Sequence, residues 1–418
     1  MTASEITAEE RERKQYEKMT QTPVSNLIVR LGIPTIISML ITNIYNTADT
    51  YFVSRLGTSA SGAVGVVFSL MAILQAFGFM FGHGAGSIIS RKLGKETGRA
   101  QADCIHQLFS VYSDGNTDRR GGDYVFNSVY AGTGKYPDNP AVCQTVWTFY
   151  SAGRSFYDGE LCAEQYSAIR GHGCLCMIGL TTGGILNMIG DPILMFGLNM
   201  GVLGAGLATA LSQMISFFIL LYMFVAKKTQ SRLSIRLMTR DIHEVGLIVA
   251  TGFPSLIRQG LGSVSTMLLN HQAAVYGDAA VAAMSIVNRI CMLVFSVGLG
   301  LGQGFQPVAA FNYGAGKYSR VKKGFWFTAG SGEVMLGSFA IICLFVSSGI
   351  IGVFRDDPQV IAIGVFALRC QCIAFFFQPL SVCTNMMLQS VGESKKHPFS
   401  LRSGAGSALF PSFSYCRQ

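Results

Sequence analysis

The sequence predicts an all-α polytopic membrane protein made of two homologous helical-bundle lobes. Half of the 418 residues are hydrophobic, 13% are charged, and the mean hydropathy is +0.39. This composition is typical of chains that cross a bilayer several times and not of soluble domains. The 48 glycines suit close contacts between helices in lipid. Eight apolar runs and an internal repeat then indicate how many helices there are and how they divide into lobes.

Eight apolar runs are long enough to cross a bilayer as helices. The predicted spans are 27–54, 59–89, 177–198, 202–226, 245–275, 279–311, 325–354 and 360–390. Residues 1–24 precede them as a polar cytosolic tail, with no apolar core of a cleavable signal peptide. Lys and Arg gather in short loops near Lys92, Lys227 and Lys317, which by the positive-inside rule puts these loops and the N-terminus in the cytosol.

An internal repeat is visible at a constant offset of 220 residues. Gly32 and Pro34 correspond to Gly252 and Pro254. The same offset pairs Gly57 with Gly277, Ala60 with Ala280, Ala63 with Ala283, Val67 with Val287, Gly78 with Gly298, Gly82 with Gly302, Gly84 with Gly304 and Gly94 with Gly314. The repeat predicts an N-terminal lobe over 25–226 and a C-terminal lobe over 245–396, joined by a basic cytosolic linker over 227–244. A full second copy would run past Gln418.

Several function classes are not expected. The net charge of +9 does not indicate nucleic-acid binding, because the basic residues lie in short loops between apolar runs. The 11 cysteines have no zinc spacing supported by histidine. No phosphate-binding loop and no Ser-His-Asp or Cys-His arrangement is recognisable, so neither ATP-driven transport nor an enzyme is expected.

Two segments do not fit the rest of the chain. Residues 105–176 scatter Asp, Arg and Gly where two spans are expected, and 397–418 is likewise unlike a span. Inside a bilayer, the backbone N–H and C=O groups of such segments would have no hydrogen-bond partners. Reading the codons of 153–171 one base later permits the apolar run GAPFMMASFVLNNILRYEG. We therefore favour a reading-frame error from about 104 to 176 and after 396 over a genuine hydrophilic insertion.

The hairpin over 181–213 carries polar groups inside an apolar run. Asn187 and Asp191 are four residues apart and share one helical face. A turn near Asn199 would place Thr209 of the next helix at the depth of Asp191, and Pro192 loosens the backbone beside the acid. An ionised Asp deep in a bilayer costs roughly 2.5–3.5 kcal/mol, which makes it a functional candidate. The alternative is a wetted, structural acid near the end of the span.

Three stretches carry a family resemblance: ADTYFVSRLG at 48–57, NMIGDPILMFGLNMGVLGAGLATALSQ at 187–213, and GLGQGFQPVAAFNYGAGKYSRVKK at 300–323. The chain resembles the multidrug and toxic compound extrusion (MATE) transporters of the MOP flippase superfamily, over 25–103 and 177–396. The resemblance implies a fold of twelve membrane helices, about eight of them intact here. It also implies a plasma-membrane antiporter, expected to be a monomer, that expels cationic or amphipathic compounds in exchange for Na⁺ or H⁺.

The resemblance further implies a cation site in the N-terminal lobe. Matched residue by residue, its members are Asp49, Asn187, Asp191 and Thr209. Carboxylate, amide and hydroxyl oxygens suit a hard cation such as Na⁺, and two nearby acids suit a proton as well, so both coupling ions stay open and no other cofactor is expected. The acid that some members carry early on the seventh helix is missing. Arg258 occupies that region and is expected to snorkel or to pair, with direct contact to the substrate as the alternative.

Further polar residues are candidates for lining a cleft or for support. Gln303, Gln306 and Asn312 lie in a Gly-rich helix end, and Asn43 and Asn46 lie about one turn from Asp49. Two rival functions remain. One is a lipid-linked sugar flippase of the same superfamily, which should have a strongly cationic cavity. The other is a non-functional, frameshifted product.

Overall fold

The computed structural model describes residues 13–56, 58–95, 173–225, 242–354 and 357–392, all in helices and their connections. A short helix, α1, covers 13–21. The long helices that follow are α2 (Val24–Ser54), α3 (Thr58–Lys95), α4 (Gly173–Pro192), α5 (Val202–Val225), α6 (Ile242–Val275), α7 (Asp278–Gly314), α8 (Tyr318–Phe354) and α9 (Pro358–Val391). The eight predicted spans agree with α2 to α9 to within a few residues at most ends.

Six helices within the described part of the chain are long and apolar enough to cross a membrane. They are Val24–Val53, Met177–Gly197, Val202–Tyr222, Ala279–Gly314, Tyr318–Phe354 and Pro358–Val391. Helices α3 and α6 are not among these six, and α6 carries Arg258 and Gln259 among its apolar residues. At about 1.5 Å per residue, the 37-residue helices α7 and α8 are much longer than a bilayer core is thick, so they extend beyond it or tilt.

Three predicted features fall largely on residues that the structure does not describe. The segments attributed to a shifted reading frame, 105–176 and 397–418, lie outside the described residues except for 173–176 at the start of α4. The basic linker over 227–244 is likewise described only from Ile242 onward.

The internal repeat is visible in the helices. Moved by 220 residues, α2 would cover 244–274 and α3 would cover 278–315, which nearly coincides with α6 and α7. Helices α2 to α5 form the N-terminal lobe, in which α2 packs on α4 and α4 packs on α5. Helices α6 to α9 form the C-terminal lobe, in which α7, α8 and α9 pack on one another. The two-lobe architecture is as predicted.

The lobes meet through glycine contacts that the repeat exchanges, and two of them lie within the interface helices α2, α3, α6 and α7. Gly84 of α3 lies against the backbone of Gly252 in α6, and Gly304 of α7 lies against the backbone of Gly32 in α2. A Cβ atom on Gly84, Gly252 or Gly304 would overlap backbone atoms of the opposite helix, whereas one on Gly32 would make ordinary contact with Leu301. Small residues allow helices to approach this closely. Because Gly32 corresponds to Gly252 and Gly84 to Gly304, an approximate twofold axis relates the lobes.

The contact between the lobes is concentrated at one end of the helices. It involves the first half of α2 and α6 and the second half of α3 and α7, and Gly94 packs there on the Phe311 carbonyl. Toward the other end, residues 261–265 of α6 are all exposed, Leu261 to 61%. The lobes are therefore closed at the end that carries Lys92 and Lys95, and they separate toward the opposite end.

Helix α1 belongs to the closed end. Met19 is buried in a cluster with Leu27 and Phe305. The guanidinium of Arg320 donates to the carbonyl oxygens of Met19 and Thr22. Within the segment predicted as a cytosolic tail, 13–21 is therefore a docked helix, because a cation satisfies the free carbonyls at the end of α1 and holds the helix on α8.

Candidate functional site

The backbone of the hairpin departs from α-helix beside Asp191. Helix α4 ends at Pro192, and Ile193–Gly197 continues it as a π-helix. The turn follows at Asn199 (φ 53°) and Gly201 (φ 57°), as the sequence predicts. In α5, a Cβ atom on Gly204 would lie 2.8 Å from the Leu194 carbonyl oxygen. Any residue larger than glycine at this position would therefore require the backbone to shift. The close approach sets α5 directly against the end of α4.

This packing brings three predicted site residues together. Asn187 Nδ2 donates to Thr209 Oγ1 at 3.1 Å and, at 3.4 Å, to Asp191 Oδ1. Thr209 Oγ1 in turn donates to the Ala205 carbonyl oxygen at 3.0 Å. The three side chains are almost completely buried. The expectation that Asp191 and Thr209 lie at a similar depth agrees with this geometry.

Asp49 of α2 completes the cluster. It is 2% exposed, Asp191 is 0% exposed, and the two carboxyl groups are close enough to interact electrostatically. Three buried oxygens in the cluster meet no hydrogen-bond donor among the described residues: Asp49 Oδ1, Asn187 Oδ1 and Asp191 Oδ2. Buried polar atoms are nearly always satisfied, so three such acceptors on neighbouring residues lack donors that the described residues do not supply.

Apolar side chains close one end of the cluster. Val53, Met195 and Ala205 form a small core beside the acids. The rings of Phe52 and Phe196 stand edge to face above it, with their centroids 6.4 Å apart. These groups keep the local dielectric low, which strengthens electrostatic interactions with the acids.

A cavity of about 40 Å³ lies on the other side of the cluster, between α2, α3, α4 and α5. Its wall includes Ser38, Thr42, Asn187 and Thr209 but neither of the two acids. A volume of this size exceeds what one water molecule needs. Asn187 and Thr209 therefore lie between this cavity, whose wall is mostly apolar, and the two carboxyl groups.

The donor set of the cluster fits a hard cation or a proton. Carboxylate, amide and hydroxyl oxygens are the ligands that hard cations prefer. Two neighbouring acids can instead share a proton. In the part of the chain that the structure describes, no three His, Cys, Asp or Glu side chains gather as they would around a transition metal.

The two supporting asparagines of α2 do not join this cluster by any hydrogen bond that the structure shows. Asn43 Nδ2 donates to the Met39 carbonyl oxygen at 3.2 Å and to Ser296 Oγ of the other lobe. Asn46 is half-buried, and its backbone carbonyl accepts from Thr50 Oγ1. Asn43 thus acts in the contact between lobes, near the place where they separate.

Gln303, Gln306 and Asn312 are all buried. Gln306 Nε2 donates to Ser87 Oγ at 2.9 Å and to Gln389 Oε1 at 3.0 Å. Asn312 Nδ2 donates to the Met19 carbonyl oxygen at 3.2 Å. These hydrogen bonds join Gln306 and Asn312 to buried polar groups of neighbouring helices.

Sequence reasoning missed His83, which is fully buried between the lobes. Its Nε2 lies 3.4 Å from Gln303 Nε2, and its Nδ1 lies 2.8 Å from Ser255 Oγ. The repeat could have revealed this contact, because its offset of 220 pairs His83 with Gln303. Residues that correspond to each other across a twofold axis can meet on that axis.

Comparison with known proteins gives a consistent result. The MatE family model matches residues 34–109 and 254–402, together more than half of the chain. The multidrug export protein MepA of Staphylococcus haemolyticus is 26% identical over 392 residues, which cover 90% of this chain and 83% of that protein.

Solved structures of the same family share the fold. An outward-facing multidrug resistance MATE transporter of the MOP superfamily is 24% identical, with a TM-score of 0.84 over 92% of this chain and 86% of that one. A MATE in complex with MaD5 is 25% identical, with a TM-score of 0.82 over 92% and 86%. MATE proteins are transporters and not enzymes. The chain is therefore an integral membrane protein that belongs to the MatE family of transporters.

Proposed function

We propose that the chain is a secondary active antiporter that exports cationic or amphipathic compounds in exchange for Na⁺ or H⁺ by alternating access. The observation that carries this proposal is the buried cluster of Asp49, Asn187 and Asp191 with three unpartnered oxygens. The similarity to a multidrug export protein supports the class of exported compound.

The cluster would couple cation binding to the arrangement of the lobes. Without a cation, two buried carboxyl groups with unpartnered oxygens lie close enough to repel each other beside an apolar cluster, an arrangement that burial and like charge make costly. A Na⁺ ion or a proton there would neutralise one charge, with Asn187 Oδ1 and Thr209 as neutral oxygen partners. Occupied and empty sites then favour different packings of α2 and α4, the helices that carry the acids, and so bias the lobes.

The direction of insertion is part of the proposal. Lys92 and Lys95 in the last turn of α3 and Lys317 before α8 lie at the closed end. By the positive-inside rule this end faces the cytosol of the plasma membrane, which puts the N-terminus inside. The lobes then separate toward the exterior, with Asp49 and Asp191 in the outer halves of their helices. We treat the transporter as a monomer in the lipid bilayer.

Substituting each acid tests the proposal. Asp49→Asn and Asp191→Asn, in a gene with a continuous reading frame, should abolish gradient-driven efflux of a cationic dye from cells. Asp357→Asn is the matched control, because Asp357 caps α9 through a 2.9 Å bond from Gln359 N and asparagine caps equally well. Undiminished efflux in both site variants, at the expression level of the control, would refute the assignment.

The two rival functions predict different results. A lipid-linked sugar flippase should carry a strongly cationic cavity, whereas the paired acids of the N-terminal lobe favour the antiporter. A non-functional product would neither insert stably into membranes nor bind dye after purification. Retained dye binding by the purified chain would therefore argue against that rival.

A further inference from the structure

Arg258 of α6 is a buried cation without a counter-charge. Its Nε, Nη1 and Nη2 atoms are all buried, and none meets a hydrogen-bond acceptor among the described residues. The only ion pair in the described part of the chain joins Arg13 to Glu17. A guanidinium stays protonated at any physiological pH and carries five N–H donors. The expectation from the sequence that Arg258 snorkels or pairs is therefore not what the structure shows.

The neighbours of Arg258 hold it in place but do not neutralise it. Its guanidinium lies over the ring of Phe295 in α7, 5.8 Å from the ring centroid. His83 of α3 is close enough to interact with it electrostatically, but as a base it offers no negative charge. A ring face attracts the charge without accepting hydrogen bonds along the plane of the guanidinium, whereas burying an unpaired ion is costly. The N–H groups along the edge of the guanidinium therefore remain available to another hydrogen-bond acceptor.

Arg258 stands at the boundary between the closed and the open part of the contact between lobes. One turn before it, Ser255 belongs to the buried contacts with His83 and Gln389. Just after it, residues 261–265 are exposed, and a Cβ atom on Gly260 or Gly262 would meet nothing within 4 Å. Arg258 thus lies where α6 passes from the buried contact between lobes to exposed residues, and its guanidinium nitrogens are still covered at this point of the helix.

We infer that Arg258 is an anion-binding subsite of the transport cleft, which takes the carboxylate of an amphipathic substrate. A carboxylate matches the planar fork of a guanidinium with two parallel hydrogen bonds, and the Phe295 ring offers an apolar surface beside them. The inference rests on the proposed function and narrows its substrates. The acids of the N-terminal lobe serve the cation, while Arg258 selects amphipathic compounds that also carry a carboxylate.

Two dyes that differ in one group test the inference on the purified full chain in neutral detergent. Tetramethylrhodamine has a free carboxylate, and its methyl ester does not. Fluorescence polarisation should show tighter binding of the acid than of the ester. Arg258→Met should weaken binding of the acid roughly ten- to hundredfold, as expected for a charge-assisted hydrogen bond, and leave the ester within about twofold. The affinity of Arg258→Lys for the acid should lie between the affinities of the wild-type chain and of Arg258→Met.

The controls separate this inference from the proposed function. Arg13→Met removes an arginine that already has its partner, so both affinities should stay unchanged. Equal effects of Arg258→Met on both dyes, or none on either, would overturn the subsite and leave export itself standing. If neither dye binds, the proposed function fails along with the subsite.

A thermal measurement needs no transported compound. Sodium benzoate should raise the melting temperature of the wild-type chain above that in sodium chloride of equal ionic strength, and it should have no such effect on Arg258→Met. Equal shifts in both proteins contradict the inference. Displacement of tetramethylrhodamine by phosphatidylglycerol but not by phosphatidylcholine would assign the site to a lipid headgroup, which also overturns the substrate assignment.

Discussion

His83 of α3 and Gln303 of α7 meet across the contact between lobes, with their Nε2 atoms 3.4 Å apart and their positions 220 residues apart in the chain. Since 220 is the offset of the internal repeat, the two residues correspond to each other and lie on the approximate twofold axis. Ser255 connects His83 to Gln389, whose Nε2 donates to Ser255 Oγ at 2.8 Å. This buried network joins the lobes away from the acids.

We expect His83→Ala to loosen the closed end of the lobes. The substitution leaves the buried Gln303 and Ser255 with fewer partners, and an unsatisfied buried polar group costs about 1–3 kcal/mol. Hydrogen–deuterium exchange of the amides over 80–90 should become faster by about tenfold or more. Ser263→Ala, at an exposed hydroxyl on α6, should leave exchange unchanged. If the amides over 80–90 exchange in His83→Ala at the wild-type rate, the network does not hold the lobes together.

Substitution of Gly252 should disrupt the contact between α3 and α6. A Cβ atom there would overlap the Met80 carbonyl group, and backbone cannot rotate away as a side chain can. Gly252→Val should therefore cost about 1–3 kcal/mol or more and lower the melting temperature of the purified chain.

Gly260→Ala on the same helix is the control for Gly252→Val. Its Cβ atom meets nothing within 4 Å, and alanine favours a helix by roughly 0.8–1.0 kcal/mol over glycine. We expect it to be neutral or stabilising. A melting temperature lowered equally by both substitutions would mean that loss of glycine, and not the close approach at Gly252, is responsible.

The sequence was sufficient for the helices and the repeat, because apolar runs and a gapless offset are local or linear signals. It was also sufficient to group Asn187, Asp191 and Thr209, since helical spacing and one turn determine their relative depth. It did not reveal the partners of Asn43 or Gln306, because those depend on how the two lobes face each other. Arg258 shows the same limit: whether a buried charge has a partner is decided by distant helices.

Thr209→Val should weaken the cation cluster without changing its shape. Valine has the size of threonine but leaves Asn187 Nδ2 without its 3.1 Å acceptor, at a cost of about 1–3 kcal/mol. We expect a lower melting temperature and reduced gradient-driven efflux, both largely restored in Thr209→Ser. Thr182→Val, whose hydroxyl bonds only locally to the Ile178 carbonyl, should preserve efflux. Full efflux by Thr209→Val would exclude the hydroxyl from the site.

The nucleotide sequence should show a shifted frame around codons 104, 176 and 396. Between the first two positions the chain reads as polar and Gly-rich where two apolar spans are expected, while one base of displacement restores an apolar run. Resequencing the gene from its source DNA is the direct measurement. An intact frame across codons 104 to 176 would establish a genuine hydrophilic segment instead.

Removing the guanidinium of Arg320 should detach α1. Arg320 Nε donates to Asn312 Oδ1 at 2.9 Å, and its Nη2 donates to the carbonyl oxygens of Met19 and Thr22. A short helix alone is marginal in water, so α1 depends on these bonds and on the burial of Met19. Arg320→Ala should therefore raise amide exchange over 16–22 by roughly tenfold or more, since a hydrogen bond to a charged group contributes about 1.5–3 kcal/mol.

Lys323→Ala is the comparison for Arg320→Ala, because Lys323 is an exposed cation one turn further along α8. Its loss changes the net charge by the same amount but removes no bond to α1 that the structure shows. Exchange over 16–22 should then remain at the wild-type rate. Similar acceleration in both variants would attribute the docking of α1 to the general positive charge of this end of the molecule, whereas acceleration in Arg320→Ala alone supports capping of the α1 carbonyls by one guanidinium.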